Sequence, residues 1–197
     1  MIRSSLAFGA LLAVAGSAVA ADSYTLDPSH SYGNFKIGHM GLSTMHGRID
    51  VTEGTLVIDR EGDGSKVDVT LDPASVDTGH EERDEHLRDK EGFFEVDKYP
   101  KMRFVSTSVQ FDDDDSSEAT VKGDLTLHGV TREVALEVEG NPKPIKDPWG
   151  KMRLGGVART TIQRDQFGIG SQKLMEGGGL VMGNDVDVTI DVELTQK

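Results

Sequence analysis

"GNDVDVTIDVEL", residues 183–194, places Val186, Val188, Ile190, Val192 and Leu194 at every second position, with polar neighbours between most of them. A period of two sends alternate side chains to opposite faces of an extended chain, so this stretch is a strand with one buried face. The same period returns at Val67, Val69 and Leu71, and at Val134, Leu136 and Val138. Further strands are expected over 31–39, 47–58, 102–111, 119–128 and 152–162. Turn chemistry bounds them, as at 61–64, 112–117 and His128-Gly129. About eight strands in series without helical crossovers predict an all-β chain, an antiparallel barrel or sandwich. The segment 141–149, with three prolines, reads as an irregular connection or an edge, and 174–183, with Gly177-Gly178-Gly179, as a mobile loop.

One stretch breaks the period. In "GHEERDEHLRDKEGFFEVDKYP", 79–100, nearly every residue from about 81 to 91 is a good helix former. Asp77 or Thr78 can cap its start and Gly92 can end it. Leu87 is its only large aliphatic side chain, so most of this helix faces water. Phe93, Phe94, Val96 and Tyr99 then supply apolar contact, which predicts a helix lying across the β-structure with its tail plugged into the core.

Residues 1–20 read as a secretory leader: Arg3, an apolar run from Leu6 to Gly16, then Ala18-Val19-Ala20 with cleavage expected after Ala20. Residues 21–197 then form one domain of about 177 residues. The chain has no cysteine, so its core rather than disulfides must hold it, and a periplasm is the expected compartment. Without the leader, 20 basic residues stand against 34 acidic ones, a net charge of −14. Such acidity argues against nucleic acid and anionic membrane surfaces as partners. No second hydrophobic stretch offers a stable membrane anchor.

Motifs for chemistry are weak. His80 and His86 are six apart, roughly 240° around a helix, and cannot share a metal there. H-E-x-x-H fails because position 84 is Asp. Asp59, Glu61, Asp63 and Gly64 imitate a calcium loop, but its twelfth position is Thr70 rather than Glu. There is no G-x-S-x-G elbow or P-loop, and Gly168-Ile169-Gly170 lacks a third glycine. No catalytic residue, metal site or cofactor is expected. His39 shares a strand face with Phe35 and Ile37, and reads either as a hydrogen-bonded core histidine or as a polar contact to a ligand head. His128 is similar, although Gly129 after it suggests a strand end.

The order of pieces over 26–49, 75–107, 121–136, 160–169 and 183–194 resembles the YceI-like family of polyisoprenoid-binding proteins. The most distinctive part is Arg83, Asp84, Leu87, Phe93, Phe94, Tyr99 and Pro100, followed by Phe104 and Ser106. The resemblance implies an extended, eight-stranded, antiparallel lipocalin-like β-barrel, a helix near one end, and an apolar tunnel holding an isoprenoid chain. It agrees with a periplasmic location and is the sole ground for expecting a homodimer. It supplies no catalytic set.

By strand parity and residue character, Phe35, Ile37, Phe94, Phe104, Leu125, Leu127, Phe167 and Met182 are expected to line such a tunnel, with His39 and Arg159 as head-group contacts. Small residues at 123, 155, 156 and 158 leave room along the axis. A lining and a solid core look alike at period two, so a filled barrel stays open as an alternative. The expected partner is an isoprenoid lipid, a quinone or a polyprenyl derivative. The rivals are a fatty-acid or amide carrier and an enzyme acting on a bound prenyl lipid.

Overall fold

The computed structural model describes residues 21–59, 63–112, 117–141 and 143–197. The expected leader over 1–20, and parts of the turns expected at 61–64 and 112–117, lie outside them. The described strands are β1 (Asp22–Leu26), β2 (Tyr32–His39), β3 (Ser43–Ile58), β4 (Lys66–Asp77), β5 (Met102–Phe111), β6 (Glu118–Leu127), β7 (Val130–Gly140), β8 (Ile145–Lys146), β9 (Met152–Gln163) and β10 (Met182–Gln196). One α-helix, α1, spans Glu81–Asp89.

β10 bonds to β2 on one side and to β9 on the other, so the ladder β10-β2-β3-β4-β5-β6-β7-β9 returns on itself. Every pairing is antiparallel. β1 adds no ninth lane. It lies in line with β2 across a short 3-10 turn, Pro28–His30, and pairs with the far parts of the same neighbours: Tyr24 opposite Leu56 of β3 and Gln196 of β10. The result is a closed, eight-lane antiparallel barrel, a form that leaves no long edge exposed. β8 is a two-residue edge on β9, opposite Met152 and Arg153, within the proline-rich segment that the sequence reads as an irregular connection or an edge.

The helix starts at Glu81, as the sequence predicts, but its cap and its end differ from the expectation. His80, not Asp77 or Thr78, occupies the N-cap, its Nδ1 accepting the Arg83 N–H at 3.4 Å. Asp77 instead takes the Gly79 N–H at 2.8 Å. The helix ends at Asp89, three residues before Gly92, where the Lys90 N–H closes on the His86 carbonyl.

Nor is the charged run wet throughout, since Asp84 is buried. Its Oδ1 accepts the Thr78 N–H at 3.0 Å and the Thr78 hydroxyl. Arg83 completes this latch, its Nε donating to Thr78 Oγ1 at 2.6 Å and its Nη2 to the Thr78 carbonyl at 2.7 Å. Two acids or bases that look solvated in sequence therefore fasten α1 to the end of β4.

After α1 the chain is held by His128, on the β6–β7 turn. Its Nε2 lies 2.8 Å from Glu95 Oε2 and its Nδ1 3.1 Å from the Phe167 carbonyl, with Tyr99 edge-on at 4.6 Å. Gly170 donates its N–H to the Gly92 carbonyl. Thus the segments after α1, after β6 and after β9 close one end of the barrel together.

The buried side chains form two separate clusters rather than one continuous core. One contains Ile49, Val51, Leu71, Met102 and Leu127, and the other Phe104, Val121 and Leu136.

Candidate functional site

Between these clusters runs a cavity of about 400 Å³, within the range that holds a single small ligand. β10 crosses its length, contributing Met182, Val186, Val188, Ile190, Val192 and Leu194. From Met182 to Leu194 the strand advances twelve residues, roughly 40 Å at about 3.3 Å per residue. Tilted by the roughly 40° usual in barrels, it covers about 30 Å of axis, close to the thickness of a bilayer's hydrocarbon core.

The charged residues of the lining, Arg83, Arg164 and Glu118, stand at its two ends. At the α1 end, Arg164 is buried and donates to four carbonyls: Gly183 at 2.7 Å, Ile169 at 2.8 Å, and Ser171 and Met182 at 3.1 Å. Burial pulls its pKa below the ordinary arginine value. At the other end the lining reaches Ser117, Glu118 and Asn141. Between these polar rims the wall is almost wholly aliphatic and aromatic, so it offers dispersion contact and the expulsion of water but few hydrogen bonds.

Of the residues expected from sequence, Phe35, Ile37, Phe94, Phe104, Leu125, Leu127 and Met182 line this cavity. Phe167 does not. It belongs to the 3-10 turn Arg164–Phe167, and its ring is buried in the cluster behind the wall. Arg159 lies on the outer face, because its neighbours Ala158 and Thr160 point inward; it pairs with Glu139 at 3.4 Å. His39 follows the alternation of Phe35 and Ile37 but sits at the end of β2, past the lined stretch. Neither is among the residues that line the tunnel, although His39 pairs across the strands with Met182, which is.

Gly155, Gly156 and Ala158 line the cavity, whereas Gly123 does not; the Phe104 ring lies over it instead. Sequence reasoning did not place Arg83, Leu87 or Arg164 in the lining. The helical period hides the first two within a charged run, and no spacing marks an arginine whose partners are all carbonyls.

The described residues hold one group that resembles a metal site, Asp27, His30 and Glu193, with ligand atoms within 4.8 Å of one another. Arg153 already fills it, its Nη1 lying 2.8 Å from Asp27 and 3.1 Å from Glu193. Hydrogen bonds from the Ser29 hydroxyl and then from Arg153 hold the Asp27 carboxyl well below the usual carboxylate range. The group is a clasp in which one guanidinium bridges carboxylates from three segments, Asp27, Asp147 and Glu193.

Comparison with known proteins agrees with this geometry. The YceI-like domain profile matches residues 24–194. Protein YceI of Shigella flexneri is 41% identical over 199 residues, covering 98% of this chain and 96% of that protein. Among solved structures, the YCEI protein of Campylobacter jejuni superposes with a TM-score of 0.65 at 27% identity, over 81% of this chain and 90% of that one. A polyisoprenoid binding domain from Saccharophagus degradans gives a TM-score of 0.58 at 18% identity, over 88% and 98%. With its closed eight-lane barrel and a profile match over nearly all the described chain, this protein belongs to the YceI-like family.

Proposed function

We propose that this protein is a carrier for a long isoprenoid lipid, a polyprenyl derivative or an isoprenoid quinone, acting in the periplasm and performing no chemistry of its own. The observation that carries this reading is the tunnel: one elongated hollow, apolar along its length and polar at its rims. The match in fold to a polyisoprenoid binding domain supports the ligand class, and the leader expected over 1–20 supports the compartment.

The energetics fit a carrier. At roughly 0.8 kcal/mol per buried CH₂, a tail of several isoprene units loses well over 10 kcal/mol on entering water. A protein sleeve removes that barrier. Ordering the flexible tail opposes binding, which keeps release accessible.

The test is native mass spectrometry of the purified protein, followed by extraction and weighing of whatever it holds. A prenyl lipid is expected. Fatty acids or amides would move the protein to the rival carrier class. An empty barrel that binds no added prenyl lipid would overturn the proposal.

A further inference from the structure

The turn between β8 and β9 presents the chain's single tryptophan to water. Trp149 is 82% exposed and Ile145, on β8, is 60% exposed. Scattered exposed hydrophobics are ordinary; this one is held in place. Asp147 Oδ1 accepts the N–H groups of Trp149 and Lys151, both at 2.9 Å. Its own N–H donates to the Lys151 carbonyl at 2.8 Å, and its carbonyl accepts the Gly150 N–H at 3.0 Å. Oδ2 takes Arg153 Nε at 2.9 Å, which ties the turn to β9. The backbone under the indole is thereby fixed.

The turn itself is cationic, while Arg153 at its base is shared by Asp147, Asp27 and Glu193. Lys143, Lys146 and Lys151 are all exposed, and among the described residues none of them has an ion pair. Asp147, the only acid of the stretch, is taken by Arg153. Residues 143–151 are thus locally basic in a chain of net charge −13. The stretch also stands at one end of the tunnel, between Asn141 and Leu154, both of which line it.

We propose that the turn over 143–151 is a docking finger for a bilayer that contains anionic lipid, with Trp149 and Ile145 entering the headgroup boundary and the three lysines meeting the headgroups. Tryptophan is the residue of membrane interfaces, and lysines near an anionic leaflet are each attracted to it. The acidity of the whole molecule opposes broad contact. Because screening acts within about 10 Å at 0.1 M salt, the finger touches end-on while the acidic barrel stays away. The purpose of the contact, bringing a tunnel end to the lipid cargo, rests on the carrier reading. The contact itself needs no cargo.

Trp149 is its own reporter. The protein without its expected leader, residues 21–197, is titrated with vesicles of phosphatidylglycerol and phosphatidylethanolamine, and separately with pure phosphatidylcholine, all free of prenyl lipid. On the anionic vesicles the indole emission is expected to shift to the blue, to be quenched by brominated acyl chains, and to recover at high salt. By vesicle co-sedimentation, Lys146→Gln and Lys151→Gln should each weaken binding about fivefold, and Trp149→Ser should lose it. An unshifted emission on anionic vesicles overturns the proposal. So does an equal, salt-insensitive response to both vesicle types, or a shift driven by protein concentration alone, which would mark a contact between copies. If the indole docks but no prenyl lipid ever binds, docking stands and the carrier reading fails.

Discussion

The ring of Phe35 lies so close to Gly47, its cross-strand partner, that a Cβ at position 47 would sit 2.2 Å from Phe35 Cζ. The glycine lets the ring fold flat onto the wall, so a large aromatic contributes surface to the tunnel without plugging it. A methyl group there displaces the far end of a side chain that can rotate, and the free direction is inward. Gly47→Ala is therefore expected to weaken the binding of a long prenyl lipid while shifting Tm little. Isothermal titration and a thermal melt measure the two effects, and unchanged affinity would contradict the argument.

Gly123 faces the opposite constraint. A Cβ there would lie 2.6 Å from the Phe104 ring, but also 2.4 Å from the Val105 carbonyl and 2.8 Å from Ser106 Cα. Backbone cannot rotate away. Gly123→Ala should destabilise the fold by about 1–3 kcal/mol, the usual cost of overpacking, seen as a lower urea midpoint. A neutral result would mean that β5 and β6 slide apart freely at this point.

Phe104 separates a hollow barrel from a filled one. It is 4% exposed, packs on Val121 and Leu136, and also lines the cavity. In a solid core, Phe→Ala costs about 3–5 kcal/mol. Little of this ring is open to the hollow, so Phe104→Ala should cost close to that range; what marks a hollow barrel is that the same change also lowers prenyl-lipid affinity. Chemical denaturation with and without lipid reads both quantities.

Alternation reveals a strand and a tunnel wall by the same signal, which is why the wall positions on β2, β5 and β6 can be read from parity. Parity also sends Arg159 outward once Ala158 is known to point in, so its charge is a poorer guide than its position. Phe167 lies where the period stops, in a short turn whose ring direction no spacing gives. The shared lane of β1 and β2 is illegible, because only pairing with β3 and β10 defines it. Arg164 is the extreme case: its four acceptors are backbone carbonyls, which every residue carries.

Asp84 carries much of the attachment of α1. Removing its carboxylate in Asp84→Ala leaves the Thr78 N–H without its acceptor and frees the Thr78 hydroxyl that Arg83 also uses. An orphaned, partly buried donor costs about 1–3 kcal/mol. The loss should be local. Amide exchange across residues 78–90 is expected to speed up more than exchange in β10, and uniform acceleration would show instead that the latch supports the whole barrel.

The Glu95 carboxylate sets a dependence on pH at the α1 end. Hydrogen bonds from Lys98, from His128 and from the Gly92 N–H hold the Glu95 carboxyl down at about 2, from an ordinary 4.5. Because the folded pKa is the lower one, the unfolded chain binds the proton more readily. The stabilisation is therefore fully present above pH 4.5 and is lost as the pH falls toward about 2. Other depressed carboxylates, at Asp27, Asp68, Asp147 and Asp187, titrate in acid too, so the informative quantity is a difference. Glu95→Gln keeps the shape and an acceptor but cannot ionise. The gap in Tm between the natural protein and Glu95→Gln should be widest above pH 4.5 and should narrow on acidification, and a gap of constant width would show that the Glu95 charge adds nothing to stability.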